Sequence, residues 1–146
     1  MKTYTKEELN TILELHVRWL NKETDGIRAN LSGVDLRGVD LRSTDLIRAN
    51  LRGADLRNAD LSADLRYVDL SDADLRGADL SDAWLENTNL SGANLINTNL
   101  TNVLLWDFIK NDLTLTTPTL SNGLNPNARK IFKVKETGKL GFILPY

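Results

Sequence analysis

From Ala29 to Asp107 the chain repeats one five-residue pattern: a small residue, Asp or Asn, Leu, and two mostly polar positions. Leu stands at 31, 36, 41, 46, 51, 56 and 61 and, after one four-residue step at Ser62-Ala63, at 65, 70, 75, 80, 85, 90, 95, 100 and 105. A period of this kind marks a stacked repeat and settles the class of fold before any other reading. Ahead of it, residues 6–23 place Leu9, Ile12, Leu13, His16 and Leu20 on one side of an amphipathic helix. Thr5 and Glu8 form its capping box, Tyr4 and Leu9 a hydrophobic staple, and Asp25-Gly26 its stop. Beyond the repeat, 111–127 carries the turn signals Thr117-Pro118, Ser121-Asn122-Gly123 and Asn125-Pro126-Asn127. Two short runs at 130–135 and 139–144, around Thr137-Gly138, predict a β-hairpin.

Units such as Ala-Asn-Leu-Arg-Gly at 49–53 and Ala-Asp-Leu-Arg-Gly at 73–77 resemble the pentapeptide-repeat family. The resemblance implies an all-β solenoid: a right-handed quadrilateral, four-sided parallel β-helix of about four coils, about 19 Å long at the spacing of neighbouring strands. It also implies that Leu and the small residue two before it face inward and the other three outward. The small column, Ala29, Val34, Val39, Thr44, Ala49 and onward to Val103, holds no large side chain, as a narrow interior requires. The expected organisation is a single domain over 1–146, with a helical cap at 1–28, the solenoid at 29–107, and a C-terminal tail at 108–146. With four units per coil, Leu31, Leu51, Leu70 and Leu90 share a first face, and the other three faces follow in the same way. The short step at Ser62-Ala63 should then distort one corner without changing which units stack.

Composition narrows the chemistry. The chain has no cysteine, which excludes a disulfide framework, thiol catalysis and thiolate metal sites. The N-terminus has no signal-type apolar core and no apolar run is long enough to span a bilayer, so a soluble, cytoplasmic protein without a membrane partner is expected. A net charge of −2 conceals a gradient. The repeat carries seven basic against thirteen acidic side chains, the tail six against two. Direct binding of nucleic acid by the repeat is therefore not expected. The third face is the most acidic, with Asp40, Asp60, Asp79 and Asp82 against Arg42 alone. The fourth face is apolar at outward positions, with Ile47, Tyr67, Trp84, Leu104 and Trp106. Trp84 and Leu104 stand where Asp or Asn is the rule, and a strip of this kind calls for a covering partner.

Each of three sharper chemical readings is weaker than the structural one. His16, the only histidine, lies in the helix's apolar face and reads as a residue of the cap; no catalytic or metal constellation can be built on it. The Asp69, Asp72 and Asp74 cluster could collect Ca²⁺, but the nearby Arg52 and Arg76 make a neutralised ladder the better account. Paired carboxylates for glycosidic chemistry would need a cleft that flat faces do not offer. The expectation is thus a non-enzymatic structural or protein-interaction module without cofactor or metal. Its candidate surface is Tyr67, Trp84, Leu104 and Trp106, and the partner is an unknown protein, the chain's own tail, or a second copy docking through the C-terminal coil. The resemblance supplies an alternative, a DNA mimic that binds DNA gyrase or a related topoisomerase. A duplex-like charge over about 19 Å would need about eleven negative charges, more than the repeat's net −6. An enzyme of unknown class is the third reading.

Overall fold

A computed structural model describes residues 1–103 and, further on, two short strands, β1 (Lys133–Val134) and β2 (Leu140–Gly141). Through the repeat the chain comes back over itself once every four units. Isolated parallel bridges join Asn30, Asn50, Asp69 and Asn89 in one column. The other columns are Asp35, Asp55, Asp74 and Asn94; Asp40, Asp60, Asp79 and Asn99; and Asp45, Asp64 and Trp84. Among the described residues, 29–103 contains no strand beyond these single paired positions, so the extended faces implied by the resemblance are reduced to bridges. The reason is that turns consume nearly every other residue.

Each turn follows from the unit's own chemistry. The Asp or Asn before a Leu sends its side-chain oxygen to the N–H of the residue after that Leu, as Asp35 does to Arg37 (3.2 Å), Asn50 to Arg52 (3.1 Å) and Asp69 to Ser71 (3.0 Å). This side-chain turn is what Asp and Asn offer at low cost. The Leu carbonyl then accepts from the small residue three places on, Leu51 from Ala54 at 3.1 Å. Closing that turn puts its third residue in the left-handed region, which Gly53 occupies freely at φ 63° and which Arg48 and Tyr67 also adopt. Neighbouring layers are tied by backbone bonds at three positions in the unit, as when Leu51 donates to Asp69, Gly53 to Ser71 and Asp55 to Val34.

The short step is absorbed in one corner. Ala63 N–H bonds to Leu61 C=O at 2.7 Å, closing the turn over three residues instead of four, and Ser62 alone spans it. Bridges on both sides of the step keep their columns, Asp40 to Asp60 and Asp60 to Asp79. Inside, the Leu column from Leu31 to Leu80 is fully buried, with the Ala column pressed beside it. The inward hydroxyls of Thr88 and Thr98 donate to the carbonyls of Leu65 and Leu75, both at 2.7 Å, so neither is left unpaired.

The first layer is closed by the N-terminal segment. Lys2 bridges to Val34, its carbonyl accepting from Asp35 N–H, and helix α1 (Lys6–Leu20) follows. Thr5 and Glu8 exchange both capping-box bonds, at 2.8 and 3.2 Å, and Leu9, Ile12, Leu13 and Tyr4 pack on the core. The helix ends at Leu20, earlier than its apolar pattern predicts, and Lys22 at φ 60° takes the left-handed position expected of Gly26. Gly26 has another duty. The chain doubles back so closely over α1 that a methyl there would collide with the backbone of Arg18 and Trp19. His16 is fully buried; its Nδ1 accepts Ala29 N–H at 3.1 Å and its ring stacks on Trp19. Burial lowers its pKa, which keeps the ring neutral and Nδ1 free to accept. Strands β1 and β2 pair antiparallel, Val134 opposite Leu140, where the hairpin is expected. Among the described residues no helix is long and apolar enough to cross a membrane.

Asp-Leu-Arg units add a charged layer outside. Arg37, Arg42, Arg57, Arg66 and Arg76 each fork onto the Asp two places before, with Nη2 to carboxylate distances of 2.6 or 2.7 Å. Arg42 also reaches Asp60 in the next layer at 3.3 Å, and Arg37 and Arg57 reach Asp55 and Asp74 at 3.7 Å. Two-point Arg–carboxylate geometry is the strong form of a surface ion pair, although solvent limits its contribution. These Arg hydrogen bonds hold the carboxyls of Asp35 and Asp40 at about 2 and those of Asp55 and Asp74 below their ordinary range.

Gly26→Ala should cost several degrees of thermal stability by lifting the cap, while Leu75→Asp should unfold the repeat by burying an unpaired carboxylate. Arg76→Ser, which removes one exposed fork, should shift the melt little. Thermal melts of the three variants check the ranking; equal small shifts would contradict the inward assignment of Leu75.

Because the carboxyl pKa values are depressed in the folded state, their stabilisation is present above about pH 4 and is lost as pH falls towards about 2. The melting temperature should stay level from neutral pH to about 5 and drop between about 4 and 2. In Arg57→Gln the drop should shrink. A melting temperature that holds through the acid range would show that the forks contribute nothing.

Candidate interaction surface

The column Asp45, Asp64, Trp84 marks the fourth face, and there the unit's rules are broken. Trp84 occupies the position whose side chain normally closes the turn, so its own unit lacks that bond and presents an indole instead. Its ring is half-buried beneath Arg66, whose guanidinium lies 4.2 Å from the ring centroid while forking onto Asp64 at 2.6 Å. The indole Nε1 is buried and has no acceptor among the described residues. One corner away, Tyr67 takes the left-handed position at φ 60° and remains 45% exposed, with the Arg48 guanidinium 5.3 Å from its ring centroid. Two Arg–aromatic stacks thus lie in neighbouring layers, where each guanidinium is attracted to a ring face. Ile47 sits beside them in the position that Arg66 holds one layer on, and Ile27 precedes it at 60% exposure.

Of the four residues expected to form this strip, Tyr67 and Trp84 come together; Leu104 and Trp106 lie outside the described residues, as does the tail expected to cover them. The acidic third face resolves differently. Asp40, Asp60 and Asp79 stack in one column, but each is engaged: Asp40 with Arg42, Asp60 with Arg42 and Ser62, Asp79 with Ser81 N–H at 2.8 Å and the Asn99 amide at 3.0 Å. Asp82 stands apart at a corner, left-handed at φ 57°. Among the described residues no cluster of His, Asp or Glu could hold a metal ion.

Sequence reasoning missed Arg28 and Arg48. Arg48 sits at the same corner position as Tyr67, one layer before it, and the Arg28 side chain donates to the Arg48 carbonyl at 2.5 Å. Reading the second residue after each Leu as a column would have found them, since Arg48 is the one Arg in that column of the repeat.

The pentapeptide-repeat model matches this chain in eight copies over residues 27–62 and 69–107, breaking off around the short step. Solved structures of pentapeptide repeat proteins are similar. HetL of the cyanobacterium Nostoc sp. strain PCC 7120, involved in heterocyst differentiation regulation, is 32% identical over 56% of this chain and 40% of its own, with a TM-score of 0.33. A second protein from Nostoc PCC 7120 is 29% identical over 73% of this chain and 89% of its own, TM-score 0.38. One from the thylakoid lumen of Arabidopsis thaliana is 39% identical over 51% and 60%, TM-score 0.22. This chain therefore spans less than half the length of HetL. No curated protein matches it. With its five-residue units matched over half its length, and Asp or Asn closing successive turns, the chain belongs to the pentapeptide-repeat family.

Proposed function

We propose that this protein is a non-enzymatic interaction module whose repeat, wound as a right-handed four-sided β-helix capped by α1, holds the fourth face rigid for a protein partner. The observation that carries this reading is Trp84 in a turn-closing position, half-buried under Arg66, with an indole N–H that has no acceptor among the described residues. Tyr67 supports it, exposed in the next layer at a corner where Gly or Asn would be relaxed. Aromatic side chains of this kind carry much of the energy at protein interfaces, because they bury large area at small entropic cost. Leu104 and Trp106 extend the proposed strip.

The DNA-mimic alternative draws less support. Five of the repeat's seven arginines fork onto their own carboxylates, cutting the net acidic charge where a duplex mimic would need it undiluted.

The test uses substitutions that restore the repeat. Tyr67→Asn and Trp84→Asn each put back a residue the unit favours, so the double variant should melt no lower than the parent. Its capture of host proteins from lysate should lose the partner that the parent and Arg76→Ser both retain. If the double variant captures the same proteins in the same amounts, the fourth face is not the interface. Inhibition of gyrase supercoiling by the parent protein would favour mimicry instead.

A further inference from the structure

Within the repeat, six of the seven arginines contact a carboxylate: the five forks, and Arg52, whose Nη2 lies 3.2 Å from Asp72. Arg48 is the exception among the described residues, and Arg28, just before the first unit, is also without a carboxylate partner. The two are adjacent, Arg28 Nε bonding to the Arg48 carbonyl, and both side chains are exposed. Two guanidinium groups in successive layers repel each other unless an anion lies between or beside them. Of the acidic groups of this face, Asp64 forks onto Arg66 and Asp45 accepts from Ile47 N–H, while the charges of Glu86 and Asp45 add to the field that raises the Arg66 pKa.

We propose that the corner formed by Arg28, Arg48 and Tyr67 binds an acidic peptide segment of the protein partner, an inference that rests on the reading of the fourth face as an interface. Charge complementarity names the acidic part. Carboxylates of the segment supply the contact that every other arginine of the repeat finds within the chain. The surroundings name the apolar part: the Tyr67 ring is 45% exposed, Ile27 is 60% exposed, and the half-buried Ile47 precedes Arg48 in the position that Arg66 holds one layer on. A bare phosphate would leave these groups unused. An extended polyanion, a DNA duplex or an anionic bilayer, would meet acidic side chains of the neighbouring units, Asp45, Asp64 and Glu86 among them, as well as two arginines. A short segment alternating carboxylate and apolar side chains reaches the corner without that repulsion, since residues two apart in an extended peptide present the same face.

The experiment is selection of a random displayed-peptide library against the full chain, followed by synthesis of the strongest binder. The expected pool is rich in Asp and Glu beside aliphatic or aromatic residues. Affinity of the synthetic peptide should fall roughly tenfold or more in Arg28→Gln/Arg48→Gln, and again when its own Asp and Glu become Asn and Gln. Added salt should weaken it in the parent. Melts establish that the double variant is folded; if it is not, Arg28→Gln alone, outside the repeat, serves. A pool without acidic bias that still depends on Tyr67 or Trp84 overturns the acidic segment and leaves the interface standing. A library yielding no peptide that depends on either aromatic overturns both. Short duplex DNA or phosphatidylserine vesicles that bind more tightly than the peptide, through Arg48, overturn it in favour of a polyanion.

Discussion

The structure depends on one hydrogen-bonded turn, made in four residues, that must recur at every corner. The Leu carbonyl accepts from the small residue three places on, and the third residue of the turn takes the left-handed region. The rest is consequence. With four of every five residues committed to turns, only one residue per unit is extended enough to form a bridge, so layers are joined by bridges and turn-to-turn backbone bonds and not by strands. A turn that tight also brings four Leu side chains towards one axis in each layer. The facing position therefore takes Ala, Val or Thr, and Thr only where its hydroxyl finds a Leu carbonyl, as at Thr88 and Thr98. The short step tests the rule: Leu61 closes onto Ala63 over three residues, and the columns on either side stay in register because the turn, not the residue count, sets the position of the next unit.

This constraint explains why the stacking was legible in the sequence and some of its chemistry was not. Column membership follows from counting, and the four columns read from the Leu positions are those the bridges make. The capping box at Thr5 and Glu8 was equally legible, since both of its bonds are local. The role of Asp was not. Read as a surface charge, Asp40 or Asp79 belongs to an acidic face. Read as a turn former, it is a structural acceptor whose charge is partly met by Arg42 or by Ser81 and Asn99. Sequence cannot separate these, because Asp satisfies both descriptions with the same side chain. Gly26 misled for a related reason: glycine signals a left-handed stop and a close approach alike, and only the path of the chain over Arg18 and Trp19 decides between them.

Arginine in the first position after Leu has a similar double meaning. In Arg37, Arg57 and Arg76 it returns to the Asp of its own unit, so a charged pair is built into five residues and contributes little net field. At the second position after Leu, Arg48 makes no contact with the Asp of its own unit and lies over the Tyr67 ring instead. Arg48 is therefore left without the partner its neighbours have, although the residue type and the charge count are the same. The distinction is one of register, and it is invisible to any tally of basic and acidic residues.

A repeat of this regularity makes departures informative, because each unit states what its geometry prefers. Asn at 89, 94 and 99 keeps the turn-closing bond or its acceptor and changes only charge, so these substitutions are neutral to the fold. Trp84 does not keep it. Its unit gives up a side-chain-to-backbone bond, and its indole N–H is buried without an acceptor among the described residues. Tyr67 adds a bulky side chain at a left-handed corner that Gly or Asn would occupy with less strain. Both losses fall on one face, next to the two arginines that no carboxylate meets among the described residues. Stability alone would select against that coincidence, since restoring Asn at either site is a single substitution that the rest of the repeat already tolerates. Local inconsistency with an otherwise consistent fold is where function is to be sought, and among the described residues of the repeat Tyr67 and Trp84 bring it to the corner beside Arg48.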